Sequence, residues 1–122
     1  VIVFDIGKYH TGDMILALPV MQALKNLGED VEVSMLRRYY EPARECGIQR
    51  YNGRGGLKVR PYIRPGRHRT DDWLARMNRL GYKDLVPART EWSTKANTEL
   101  LPGGGWVLFQ PWCEDPRKQW PV

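Results

Sequence analysis

The six residues Lys8-Tyr9-His10-Thr11-Gly12-Asp13 gather an ammonium, a phenol, an imidazole, a hydroxyl and a carboxylate around one glycine. A short apolar run precedes them and a stretch with helical spacing follows. If that run is a parallel strand, the segment lies at its carboxyl end, where open α/β sheets bind their ligands. The start of the next helix presents free backbone N–H groups and a positive dipole end, which favour an anion or a carboxylate. Gly12 permits close backbone approach. Asp13, projecting into such a crevice, can orient a sugar hydroxyl and take its proton. Each residue has a plainer role beside this one: Asp13 as a helix cap, His10 as an exposed loop histidine. The segment has neither the G-x-G-x-x-G nor the G-x-x-x-x-G-K-[ST] pattern, which argues against a dinucleotide or Walker-type phosphate site.

The elements that must hold this segment are readable on both sides of it. Val1 to Ile6 is a β-branched apolar run, suited to a strand buried on both faces. From Asp13 to Leu27 the apolar residues Met14, Ala17, Leu18, Met21 and Leu24 recur every three or four positions, as on one face of a helix. Pro19 cannot donate a backbone bond, so a kink or a fresh helix start is expected there. Gly28 stands where a C-terminal cap prefers glycine. Val31 to Leu36 reads as a second strand, which makes the opening a βαβ unit with a parallel pair.

Beyond it, Tyr40 to Cys46 reads as a short helix ending at Gly47, and Asn52 to Gly56 as a loop. Leu57 to Ile63 reads as an edge strand, because Pro61 interrupts it. Thr70-Asp71-Asp72 opens a helix that buries Trp73, Leu74, Met77 and Leu80 and stops at Gly81. Glu91 to Leu101 reads as a last helix and Pro102-Gly103-Gly104-Gly105 as a linker. Trp106 to Phe109 is then a new buried strand, followed by a polar loop. We therefore divide the chain into a Rossmann-like α/β domain over 1–101, a linker over 102–105, and the beginning of a second domain over 106–122.

Composition narrows the function classes. Of 122 residues, 42% are hydrophobic and 27% charged, a soluble globular balance. No apolar run approaches the roughly 18–20 residues of a membrane helix. The net charge of +5 points to acidic partners, and the basic residues crowd between Arg37 and Arg69. Most of these arginines are expected on a solvated face, with a minority touching ligand. Cys46 and Cys113 form no C-x-x-C pair and point to a reducing compartment. His10 and His68 have no matching cysteine or carboxylate spacing, so no metal site is expected. His68 reads as part of a solvated turn. Asp30-Val31-Glu32 resembles a metal-binding Asp-x-Asp only superficially, since it stands at a strand's start. The chain begins at Val1 without a signal pattern, and we expect a trimmed or processed start.

The stretch from Thr11 to Lys25, with Gly-Asp, a short apolar turn, Leu-Pro and Ala-Leu-Lys, closely resembles the opening of the heptosyltransferases, glycosyltransferase family nine. Near the chain's end, Trp106 to Pro111 resembles the family's second-domain strand and donor loop. Lys118-Gln119-Trp120-Pro121 resembles its Lys-x-Trp-Pro signature. The resemblance implies a GT-B architecture of two Rossmann-like domains facing across a cleft. It implies inverting transfer of a heptose or related sugar from a nucleotide-diphosphate donor to an acceptor of the lipopolysaccharide type, an anionic glycolipid or sugar, with no cofactor and no required metal. By position, Asp13 would be the general base, with Gly12 shaping the loop beneath it and His10 and Thr11 beside the acceptor. Lys118 would hold the donor diphosphate. The expected location is the cytoplasm, with peripheral contact at the inner membrane.

Two departures stand out. Gln110-Pro111-Trp112-Cys113 replaces the small residues that often cradle phosphate, and the span between Leu36 and Thr70 is short for the family. Most of a donor-binding domain is absent, so full catalysis is not expected of these 122 residues alone. The rival readings are a non-catalytic sugar- or phosphate-binding relative and a basic nucleic-acid-binding or assembly protein. The second has no recognised nucleic-acid motif to support it, and no specific nucleic acid is expected as a partner.

Overall fold

The computed structural model describes residues 1–90 and 115–118. Its centre is a four-stranded, wholly parallel sheet in the order β3-β2-β1-β4, with helices packed against it, a Rossmann-like α/β fold. Strand β1 is Ile2–Gly7, β2 is Val31–Met35, β3 is Gln49–Arg50 and β4 is Leu57–Val59. Helix α1 is Thr11–Asn26, α2 is Glu41–Glu45 and α3 is Arg69–Arg79. The expected helix over 91–101, the linker over 102–105 and the strand over 106–109 lie outside the described residues.

β1 pairs with β2 on one side and β4 on the other, and Ile2, Val3 and Phe4 are all buried, as the unbroken apolar run implies. β2 instead buries alternate residues, Val31, Val33 and Met35, in the two-residue period of a strand with one covered face. β4 is an edge strand as anticipated but ends at Val59, short of the expected Ile63. Pro61 brings no N–H to a ladder, and the pairing stops before it. The two-residue strand β3 was not anticipated. It is polar and exposed, so neither hydrophobicity nor alternation marks it.

Helix α1 is a single unbroken element with Pro19 inside it, so the fresh start expected at that residue does not occur. Pro19 removes one rung of the helical ladder. Beside it, the Thr70 hydroxyl donates to the Leu16 carbonyl at 2.6 Å, and the Ala88 N–H donates to the Pro19 carbonyl at 3.0 Å. Tertiary bonds thus reach the interrupted stretch from two other segments. Met14, Leu18, Met21 and Leu24 are fully buried against the sheet. The helix closes with Gly28 at φ +87°, whose N–H reaches the Lys25 carbonyl while Glu29 N–H reaches Leu24, the paired bonds of a Schellman cap.

The connection from β3 to β4 crosses from one edge of the sheet to the other, and Gly56 carries it past β1. A Cβ at that glycine would stand 2.8 Å from a Val3 methyl and 3.2 Å from the Val1 carbonyl oxygen, with the backbone at φ +79°. Only glycine meets both demands.

Helix α3 packs on α1 and reaches β1 through Trp73, whose ring stacks on Phe4 with centroids 4.6 Å apart. The helix starts at Arg69 with His68 as its N-cap: the imidazole Nδ1 accepts from Thr70 N–H at 3.2 Å. His68 is therefore a capping residue, not simply part of a solvated turn. Asp72, expected only as part of the helix start, is 1% exposed. Arg64 Nε donates to it at 3.3 Å, as does Arg69 Nη1. A buried carboxylate needs such partners, and through them Asp72 fastens the 60–68 loop to α3. Burial alone would raise its pKa, but the hydrogen bonds from Arg64 and then Arg69 hold it below the ordinary aspartate value. A depressed folded-state pKa contributes stability that is complete above the unfolded value, about 3.9, and is lost as pH falls through the folded one. We expect urea unfolding free energies of the native chain to decline over that acidic window. Asp72→Asn should be less stable at neutral pH and show a smaller acid-dependent loss. Identical pH slopes for the two proteins would remove Asp72 from this role.

Candidate functional site

In the order β3-β2-β1-β4, the direction of strand addition reverses between β1 and β4. That reversal leaves a crevice beyond the carboxyl ends of these two strands, the place where open α/β sheets take ligands. Two adjoining cavities lie there. One, of about 410 Å³, is lined by Asp5, Ile6, Gly7, Lys8, Tyr9, Asp13, Arg60, Pro61, Ile63, Arg69 and Trp73. The other, of about 540 Å³, shares Asp5, Arg60 and Pro61 with it and extends along α3.

Asp13 belongs to the first cavity and is half-buried. The helix begins two residues earlier than its pattern suggested, so Asp13 sits within the first turn, in the third helical position after the N-cap His10. Its Oδ2 accepts the His10 backbone N–H at 3.2 Å, as the third residue of a capping box does. A carboxylate has two oxygens and about four acceptor sites. The capping bond therefore orients the group and leaves Oδ1 for another partner.

The remaining loop residues divide. Lys8 and Tyr9 line the cavity with Asp13. Gly12 lies in the exposed first turn of α1, in helical backbone that needs no glycine, and a Cβ there would meet nothing within 4 Å. Its missing side chain leaves open space outside the helix. Thr11 turns away: its hydroxyl donates to the Tyr39 carbonyl at 3.4 Å and ties α1 to the 3-10 turn Arg37–Tyr39 that follows β2. The His10 ring is exposed, with its centroid 4.9 Å from that of Tyr39, and does not line the cavity. Thr11 and His10 thus brace the loop. Lys118 is exposed in a separate 3-10 turn, Pro116–Lys118, and is not among the residues lining Asp13's cavity. Its backbone N–H reaches the Asp115 carbonyl at 3.0 Å, and Arg117 pairs with the Asp115 carboxylate at 2.9 Å. Trp112, Cys113 and Trp120 lie outside the described residues.

Asp5, Arg60 and Trp73 are among the lining residues not singled out from sequence as site residues. Asp5 is the one charged residue in the apolar run of β1, and a carboxylate in such a run was the available signal. Its side chain is 8% exposed, and Arg60, just past β4, holds one of its oxygens with both Nε and Nη2 at 2.6 Å. Trp73 forms a buried wall through its stack on Phe4. Among the described residues no group of three or more His, Cys, Asp or Glu side chains is placed to hold a metal ion, and no helix is long and apolar enough to cross a membrane.

Comparison with protein-family models, curated proteins and solved structures finds no match to this chain.

Gly12→Ala separates what the fold needs from what the crevice needs. An added methyl meets nothing in the chain and favours helix, so the variant should be as stable as the native protein or more so, by up to about 1 kcal/mol in chemical denaturation. Destabilisation would show that the fold itself requires glycine at this position.

Proposed function

We propose that this chain is the acceptor-side part of an inverting glycosyltransferase of GT-B architecture, similar to the heptosyltransferases. The observation that carries the reading is Asp13: a carboxylate in the crevice at the strand-order reversal, held by its capping bond, within the Gly-Asp motif the family resemblance rests on. In this reading the acceptor is a sugar of the lipopolysaccharide type, an anionic glycolipid or its headgroup. Asp13 takes the proton of its attacking hydroxyl as the oxygen closes on the anomeric carbon of the donor sugar. The bond to the nucleotide diphosphate breaks on the opposite face, which inverts the configuration. Lys118 is assigned to the departing diphosphate, whose negative charge grows in the transition state. The reaction belongs in the cytoplasm, at the periphery of the inner membrane.

A second reading has its own observation. Because Asp13 already accepts the His10 N–H, its place in the loop is also explained by capping, and the crevice would then bind a sugar or phosphate without transfer.

The decisive assay is sugar transfer by the intact protein as its cell makes it, from a nucleotide-diphosphate heptose to a heptose-free lipopolysaccharide core. Asp13→Asn keeps the shape and an oxygen acceptor for the cap but loses the base. It should lower transfer by about 10²–10⁴-fold, the usual worth of general base catalysis, with acceptor binding retained. Acceptor binding by the native protein with no transfer would favour the non-catalytic reading. Undiminished transfer by the variant would remove Asp13 as the base.

A further inference from the structure

The larger cavity at the strand-order reversal is lined by two carboxylates and five cations, and its charges do not cancel locally. Asp5 is held by Arg60, and Asp72 by Arg64 and Arg69. Lys58 lies over the Tyr51 ring, 4.8 Å from its centroid. That leaves Arg76 and Arg79, which have no carboxylate partner among the described residues. They stand three apart on α3, and like charges at this spacing repel. The dipole of α3 favours cations in its last turn, but it does not account for the way Arg76 is placed. Its Nε is buried with no hydrogen-bond partner, a position that a native protein rarely leaves unfilled.

We propose that this cavity is an oxyanion site for a phosphate group carried on a small molecule, with Arg76 and Arg79 as its primary ligands. A phosphate dianion offers acceptor oxygens to the guanidinium groups of Arg76 and Arg79, which both line the cavity, and arginine binds it through paired charge-assisted bonds. Arg60 supplies the third contact. It is largely exposed and reaches Asp5 from the rim shared by both cavities, so it can meet an anion on one side while it still holds Asp5 on the other. Tyr62 is 75% exposed and also lines the cavity. Its ring offers an apolar face to the carbon skeleton that carries the phosphate. The inference stands apart from the transferase reading, since it uses neither Asp13 nor Lys118 and predicts binding with no donor present.

Inorganic pyrophosphate is the probe, titrated calorimetrically into the whole chain at constant ionic strength, with chloride as the control for screening. Saturable binding is expected in the native chain. Arg79→Gln changes an exposed side chain and should leave folding intact while weakening binding about tenfold or more, the scale of a lost charge-assisted hydrogen bond. Arg76→Gln should do the same, and circular dichroism shows whether it folds. Arg44→Gln, on α2 away from the cavity, should bind as the native chain does. The proposal is overturned if pyrophosphate does not saturate, or if Arg79→Gln binds as tightly as the native chain. It is also overturned if Arg44→Gln weakens binding as much as Arg79→Gln, because binding would then follow net charge and not the cavity.

Discussion

The placement of β4 beside β1, on the side away from β2, is the constraint from which the rest of the domain follows. Had the chain continued past β3 in the same direction, β1 would be an edge strand. Returning to β1 buries that strand between two neighbours and opens the crevice beyond their carboxyl ends. It also brings Arg60 to Asp5 across 55 residues of sequence. The return is sterically tight. Gly56 passes Val3 and Val1 at distances no side chain could share, so the site's architecture rests on a glycine that never touches it.

Helix α3 then closes the arrangement. Trp73 stacks on Phe4 of β1, and the Thr70 hydroxyl reaches the carbonyl of Leu16 in α1. Both contacts link α3 to elements that carry candidate site residues, Asp5 on β1 and Asp13 on α1. Asp72 completes the join from the other side by drawing Arg64 and Arg69 inward. The buried ion pair and the aromatic stack are thus two fastenings of one helix, and the cavities lie along the seam they hold. A site built on packed helices and strands keeps its geometry better than one built on loops alone.

Local patterns were legible and long-range pairings were not. The β-branched run of β1, the spacing of Met14, Leu18, Met21 and Leu24, and the stop signals at Gly28 and Gly81 identify their elements because each acts over a few residues. The start of α1 was misplaced because Asp13 has a side chain that caps helices, whereas the residue in the N-cap position is His10, in extended backbone. β3 carried no hydrophobic signal to read. Asp72 looked like one of two ordinary acids in a first turn, and only the fold of the 60–68 loop puts it inside. The Gly-Asp loop was found from sequence as one piece, yet its residues separate in three dimensions. Lys8, Tyr9 and Asp13 face the cavity, and His10 and Thr11 turn toward Tyr39. Within these six residues the chain leaves β1 and turns into the first turn of α1, so the segment's composition shows what chemistry is present but not which side chains share a space.

The electrostatics of the crevice explain why Asp13 stands out among the acids around it. Three carboxylates line the two cavities, and two of them are engaged by guanidinium groups, Asp5 by Arg60 and Asp72 by Arg64 and Arg69. A carboxylate held by arginine is committed to that charge-assisted pairing. Asp13 has no cationic partner among the described residues. The hydrogen bond it accepts from the His10 N–H fixes its direction through a neutral donor. The arrangement therefore sorts its acids by neighbour. Those that join elements are paired with arginine, and the one at the open helix start keeps an oxygen for whatever enters the crevice.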